Sequence, residues 1–176
     1  MGFFNDFKPA ILFLSKFLGL YFVLNLAYGF YIESHGSKPD PVTKWVTNQT
    51  AEILELGEDD IEAAYLENSR SISIINSGRA VISVFEGCNG LNVIIIFLSF
   101  LIAFGPYKRQ LLWFTVVGII IIHISNLARI TLLYYVSLNF EDYLYFTHKY
   151  LFTAIIYVVI FCLWLFWIIN FSKRTN

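Results

Sequence analysis

Four long apolar runs, separated by short polar or basic stretches, decide what this chain can fold into. The first, "PAILFLSKFLGLYFVLNLAYGFYI", covers residues 9–32, and the others cover 88–104, 111–136 and 151–170. Runs of about 17 to 20 apolar residues match the thickness of a bilayer when coiled as helices. Inside lipid the backbone must satisfy its own hydrogen bonds, which leaves the helix as the natural solution for such runs. Composition agrees, since only 14% of residues are charged against about 25% in an ordinary soluble domain. The expected fold is therefore an all-α membrane protein: a four-span transmembrane helix bundle forming a single membrane domain over residues 1–176. Lys16 interrupts the first run and is expected to snorkel to one surface. That run lacks a cleavage pattern and reads as a span rather than a removed signal.

Charge sorting orients the spans. Lys8 and Lys16, Lys108 and Arg109, and Lys173 and Arg174 all fall on one side of a four-span arrangement. Cytoplasmic segments are enriched in Lys and Arg, so both termini are expected in the cytoplasm and the chain in the cytoplasmic (inner) membrane. The acidic loop 33–86 and the segment near 139–149 then face outward. No basic surface suggests nucleic acid as a partner; the bilayer is the implied one.

The outer loop carries its own structural signals. In "DPVTKWVTNQTAEILELG", Asp40 reads as a helix cap, Pro41 as the first helical position and Gly57 as a stop. "SISIINSGRAVISVF" is β-rich on either side of "NSG" and predicts a short hairpin running toward Cys88.

Cys88 opens the second run, between two near glycines in "FEGCNGLNVIIIF". A cysteine there could be a packing residue, half of a disulfide, a metal ligand or a catalytic thiol. Depth narrows the choice. At about 1.5 Å per residue, Arg129 lies about 27 Å above Leu111, near the outer edge of a roughly 30 Å hydrocarbon core. His148, just before the fourth run, sits at that same edge. Three reactive side chains from three segments thus share one level. A lone cysteine in a membrane protein is more often a small hydrophobe, a span-end arginine an anchor and a loop histidine merely solvated. Cys88 departs from this pattern because a helix N-terminus lowers a thiol pKa. Gly87 and Gly90 also leave room for a substrate backbone. Arg129 inside a span needs a polar pocket, and Asn126 lies one turn below it on nearly the same face.

Other candidates are weaker. Cys162 lies too deep to reach Cys88 for a disulfide and reads as packing. His123 reads as a hydrogen-bonded interior histidine. One Cys with one or two His has no zinc spacing, and no metal or cofactor is expected. The rival to an enzyme is a non-enzymatic four-span protein, a small-solute carrier or assembly subunit using His123, Asn126 and Arg129 as a polar path.

"EGCNGLN", then "NLARI", then "THKY" resembles the Cys, Arg and His blocks of the exosortase/archaeosortase family of multispan cysteine transpeptidases. The likeness covers order, spacing and placement at span ends. Overall size and the single long outer loop look like the short exosortases, the exosortase F subgroup among them. Cys88-Asn89-Gly90 stands where the family has Cys-Ser-Gly. The resemblance implies a protease or transpeptidase that processes membrane-anchored proteins with C-terminal sorting tails of the PEP-CTERM kind. Cys88 would be the nucleophile, His148 the general acid/base and Arg129 an electrostatic stabiliser. Asn89, Gly90, Asn92 and Asn126 would bind substrate or support these three.

Overall fold

The computed structural model describes residues 3–65, 69–105 and 109–171. Helix α1 (Phe3–Glu33) runs unbroken past Lys16, which is exposed along it. Helix α2 (Pro41–Leu54) follows, and then three strands: β1 (Ile61–Tyr65), β2 (Ile72–Asn76) and β3 (Arg79–Val84). A 3-10 turn over Glu86–Cys88 leads into α3 (Leu91–Phe104), and α4 spans Arg109–Asn139. The chain returns through a 3-10 turn (Glu141–Tyr143), a single turn α5 (Leu144–Phe146) and a π turn (Thr147–Leu151) into α6 (Phe152–Phe171). Of the basic residues used for orientation, Lys108, Lys173 and Arg174 lie outside the described residues. Lys8 and Arg109 are exposed.

Three helical stretches are long and apolar enough to cross a membrane: Phe7–Glu33, Arg109–Asn139 and Glu141–Asn170. The expected second span is shorter. Its apolar run starts at Cys88, but Gly90 adopts φ 85°, a left-handed conformation that ends helix at that point and that glycine tolerates best. What remains, α3, has 14 residues, a length of about 21 Å.

The segment between α1 and the third helix folds as its capping signals dictate. Asp40 accepts hydrogen bonds from the backbone N–H groups of Val42 and Thr43, and Pro41 occupies the first turn of α2. Ser77 (φ 48°) and Gly78 (φ 79°) form a type I′ turn, the tight connection whose twist matches two antiparallel strands. Strands β2 and β3 pair across it. A third strand, β1, pairs with β2, giving the order β1-β2-β3.

Two apolar clusters hold the fold. The first joins α2 (Val46, Ala51, Leu54), the sheet (Ile61, Ile74, Val84), Cys88 and the upper part of α4 (Ile130, Tyr134). Asn76 donates to the Tyr134 hydroxyl at 2.6 Å and Ser137 donates to the Val81 carbonyl at 3.1 Å, fastening the sheet to α4. The second cluster packs α3, α4 and α6 through Phe97, Leu101, Phe114, Ile122, Ile156 and Trp167. Helix α1 lies against α3, with Phe13 and Phe17 edge-on to Phe100.

Candidate active site

The backbone of Cys88 is held on both sides. Its N–H donates to the Phe85 carbonyl at 2.8 Å, closing the 3-10 turn, and its own carbonyl accepts from Asn126 Nδ2 at 2.9 Å. The side chain of Asn126, from the middle of α4, fills the space under Gly90. A Cβ built on Gly90 would stand 3.3 Å from it, so Gly90 serves α3's start and its contact with α4. The room expected there for substrate is taken by Asn126. At Gly87, a Cβ would meet the Phe85 ring at 2.6 Å.

Asn89 is buried and points away from the thiol. Its Nδ2 reaches the Tyr28 hydroxyl and Thr43 Oγ1, both at 3.2 Å, while Oδ1 accepts from the Leu91 N–H at 3.0 Å. It therefore caps α3 and ties the turn to α1 and α2. Tyr28 also donates to the Glu86 carbonyl at 2.9 Å, and the Thr43 hydroxyl donates to Asp40. Asn92 is exposed on the first turn of α3 and enters none of these contacts.

The thiol meets two further segments. Cys88 Sγ lies 3.6 Å from His148 Nε2 and 3.9 Å from an Arg129 guanidinium nitrogen. Arg129 projects from α4, two-thirds of the way along it. His148 sits in the π turn before α6, and π turns recur at functional sites because the inserted residue re-aims side chains. Burial pushes the Cys88 thiol pKa up, the Arg129 charge pulls against it, and Glu86 adds to the rise. The lowering expected from a helix terminus is thus outweighed by burial.

Among the described residues Arg129 has no carboxylate partner, and Arg70 and Glu86, 4.0 Å apart, form a separate ion pair. Its Nε is buried without a hydrogen bond, as is Asn126 Oδ1. A buried donor left unpaired is costly, and a cation held that way beside a thiol is suited to receiving developing negative charge. A cavity of about 420 Å³ opens in front of Cys88 and His148, walled by residues 81–85, Ile130, Leu133, Leu144 and Tyr145. Among the described residues no cluster of three His, Cys, Asp or Glu could hold a metal ion.

The family model of transmembrane exosortases matches residues 9–169. This chain belongs to the transmembrane exosortase family. The match takes in all four apolar runs and the Cys, Arg and His blocks, so this exosortase is a multi-pass membrane protein of a cysteine peptidase and transpeptidase family. No curated protein and no solved structure matches the chain.

Two other expectations meet the structure here. His123 is hydrogen-bonded, its Nε2 2.9 Å from Gln49 Oε1, and its ring stacks on Trp45 at 4.6 Å. Both partners come from α2. Cys162, expected as packing, is exposed on α6 and lines an apolar groove against α4. Sequence reasoning missed Tyr28 and Thr43, polar groups on the first span and on α2 that position the Cys88 turn. Their signal was a tyrosine near the end of the first apolar run and a threonine beside a cap, both too common to stand out.

Proposed function

We propose that this exosortase is a cysteine protease or transpeptidase that cuts C-terminal sorting tails from membrane-anchored proteins at the outer face of the cytoplasmic membrane. The observation that carries this reading is the Cys88–His148–Arg129 cluster, assembled from three segments around one cavity. His148 Nε2 takes the thiol proton as Sγ attacks the scissile carbonyl carbon, forming the C–S bond and an oxyanion. Arg129 stabilises that oxyanion; being permanently charged, it cannot act as a base. As the tetrahedral species collapses, the C–N bond breaks, and His148 returns its proton to the leaving amine. A thioester remains on Cys88, and water or an amine resolves it. In this reading α3 completes a four-span bundle. Because α3 is only about 21 Å long against a core of roughly 30 Å, the thiol sits just inside the outer boundary of the lipid. A tail helix beside the bundle presents its outer flanking peptide at that level.

The test is the fate of a tail-bearing precursor in membranes. With Cys88→Ala the unprocessed precursor accumulates; normal processing by that variant would reject the nucleophile. Orientation is tested separately with a Glu58→Cys variant. An impermeant maleimide should label it from outside the cell, and labelling from the cytoplasmic side alone would overturn both the topology and the mechanism.

A further inference from the structure

The cavity in front of Cys88 has one wall that identifies what fits it. Val81, Ile82, Ser83, Val84 and Phe85 all line it. Successive strand side chains point to opposite faces, so a cavity over one face of a sheet touches alternate residues. Ile82, Ser83 and Val84 are consecutive in the regularly paired part of β3, so side chains of both faces border the cavity, as expected where it runs along the strand's edge. Strand β3 ends the order β1-β2-β3, so that edge has no neighbouring strand among the described residues.

The pairing pattern shows which groups face the cavity. Across a two-residue turn, Asn76 and Arg79 form a hydrogen-bonded pair. The bulge between Ile74 and Ile75 inserts one residue into β3 and shifts the alternation. Ser73 and Ser83 then form a non-hydrogen-bonded pair, and their hydroxyls, 2.9 Å apart, fit the closer approach of such pairs. In that pair the Ser83 N–H and C=O turn outward. On either side the acceptors are occupied: the Val81 carbonyl by Ser137 Oγ and the Phe85 carbonyl by the Cys88 N–H. Ser83 is the open position between them, exposed and five residues before the thiol.

We propose that the peptide to be cleaved docks in extended form as a fourth strand on the β3 edge, hydrogen-bonded through its backbone to Ser83. This docking delivers its scissile carbonyl to Cys88. Recognition is then chiefly of main chain. Alternate side chains of the peptide pack against Ile130, Leu133, Leu144 and Tyr145, which favours apolar residues on that side. The proposal rests on the catalytic reading above, and its test separates the two.

The probe is acetyl-tetra-alanine chloromethyl ketone, whose chloride Cys88 Sγ displaces, applied to membranes containing the full-length protein. Acetyl-alanine chloromethyl ketone serves as the short control, and iodoacetamide reports the thiol itself. Two backbone hydrogen bonds to Ser83 predict labelling about tenfold faster for the long probe than for the short one. N-methylation of alternate alanines should remove that gain, and N-methylation of the intervening ones should leave it. Ser83→Pro, which deletes the outward N–H, should reduce the gain, and Ser83→Ala should keep it, with iodoacetamide rates unchanged. If Ser83→Pro disturbs the sheet, iodoacetamide rates shift and the N-methyl scan decides alone. A gain indifferent to N-methylation, or lost equally at all four positions, overturns strand docking. A two-residue period together with normal tail processing by Cys88→Ala would leave the dock standing and remove the nucleophile.

Discussion

The two ends of this bundle are built by different forces. The end carrying Cys88 buries Asp40, Thr43, Thr47, Thr50, Ser73, Asn89, Asn126 and Thr147. The other end, around Phe97, Phe114, Ile156 and Trp167, buries Ser99, whose hydroxyl bonds back to Ile95 in its own helix, and Trp167 Nε1 donates to the Gly105 carbonyl at the end of α3 at 2.9 Å. There the helices meet through rings, such as Phe100 on Trp164 at 4.2 Å and Phe114 near Trp167 at 5.0 Å. Lipid tails are as apolar as these side chains, so that end is held by close packing rather than by exclusion of water. At the Cys88 end, directional bonds fix a single arrangement. Packing chiefly assembles the spans; the turn that holds the thiol is fixed chiefly by hydrogen bonds.

That contrast breaks first at the proposed nucleophile. Cys88→Ser keeps size and a hydrogen-bonding atom but yields almost no anion. Tail processing should fall on the order of 10³-fold or more while membrane abundance stays unchanged. His148→Ala should cost on the order of 10²–10⁴-fold. Arg129→Lys keeps charge but loses the planar guanidinium, and should cost about 10²-fold. All three are measured as precursor conversion at matched protein levels. Wild-type conversion by Cys88→Ser would dissolve the distinction between the two ends.

Much of this was legible from sequence, and the misses have physical causes. Apolar length announced the helices, and Asp40-Pro41 announced α2. Depth counting placed Cys88, Arg129 and His148 at one level, and the structure joins them within 3.9 Å. Strand β1, "IEAAY", was hidden because its pairing with β2, rather than β propensity, makes it a strand. The early end of α3 was hidden because hydropathy continues smoothly through Gly90, whereas backbone conformation does not. Asn89, expected to bind substrate or support the site, is bonded to other segments of the chain and braces the Cys88 turn. That depends on Tyr28 and Thr43, which lie 61 and 46 residues away in sequence.

A matched pair of substitutions sharpens the comparison. At Gly118 an added Cβ runs into the Phe97 ring, so Gly118→Ala should destabilise the bundle by about 1–3 kcal/mol. Conversion per folded molecule should not change. Asn89→Ala leaves buried partners unsatisfied at a similar cost of about 1–3 kcal/mol, but it should also lower conversion per folded molecule because the Cys88 turn loosens. Thermal unfolding in detergent, set beside conversion normalised to folded protein, separates the two. Equal normalised activities would show that the polar end is no more than scaffolding.

A smaller effect concerns pH. Burial raises the thiol pKa, so the thiolate fraction grows only as pH climbs through that elevated value. Iodoacetamide labelling of Cys88 should therefore reach half its maximum above the ordinary thiol value of about 8.5. Arg129 pulls the pKa down, so Arg129→Gln should move the midpoint further up. A midpoint unmoved by that change would mean that the guanidinium does not act on the thiol at all.

The smallest effect belongs to the second cysteine. Cys162 is a free thiol on α6, exposed where α4 and α6 form an apolar groove. The groove is lined mainly by apolar side chains such as Val117, Val158 and Leu163, and its polar lining residues, Arg109 and Gln110, are not bases that could take a proton from a thiol. Counting along α6, it lies about 21 Å from His148, beyond reach of the reacting atoms. Cys162→Ala removes one sulfur from a surface that lipid can refill, without opening a cavity in either apolar cluster. Conversion and unfolding temperature should both match wild type, and a lipid-soluble maleimide should label Cys162 in Cys88→Ala membranes without changing the bundle's stability. If instead Cys162→Ala is the inactive variant, the reaction belongs to the end held by packing, and the roles assigned to the two ends must be exchanged.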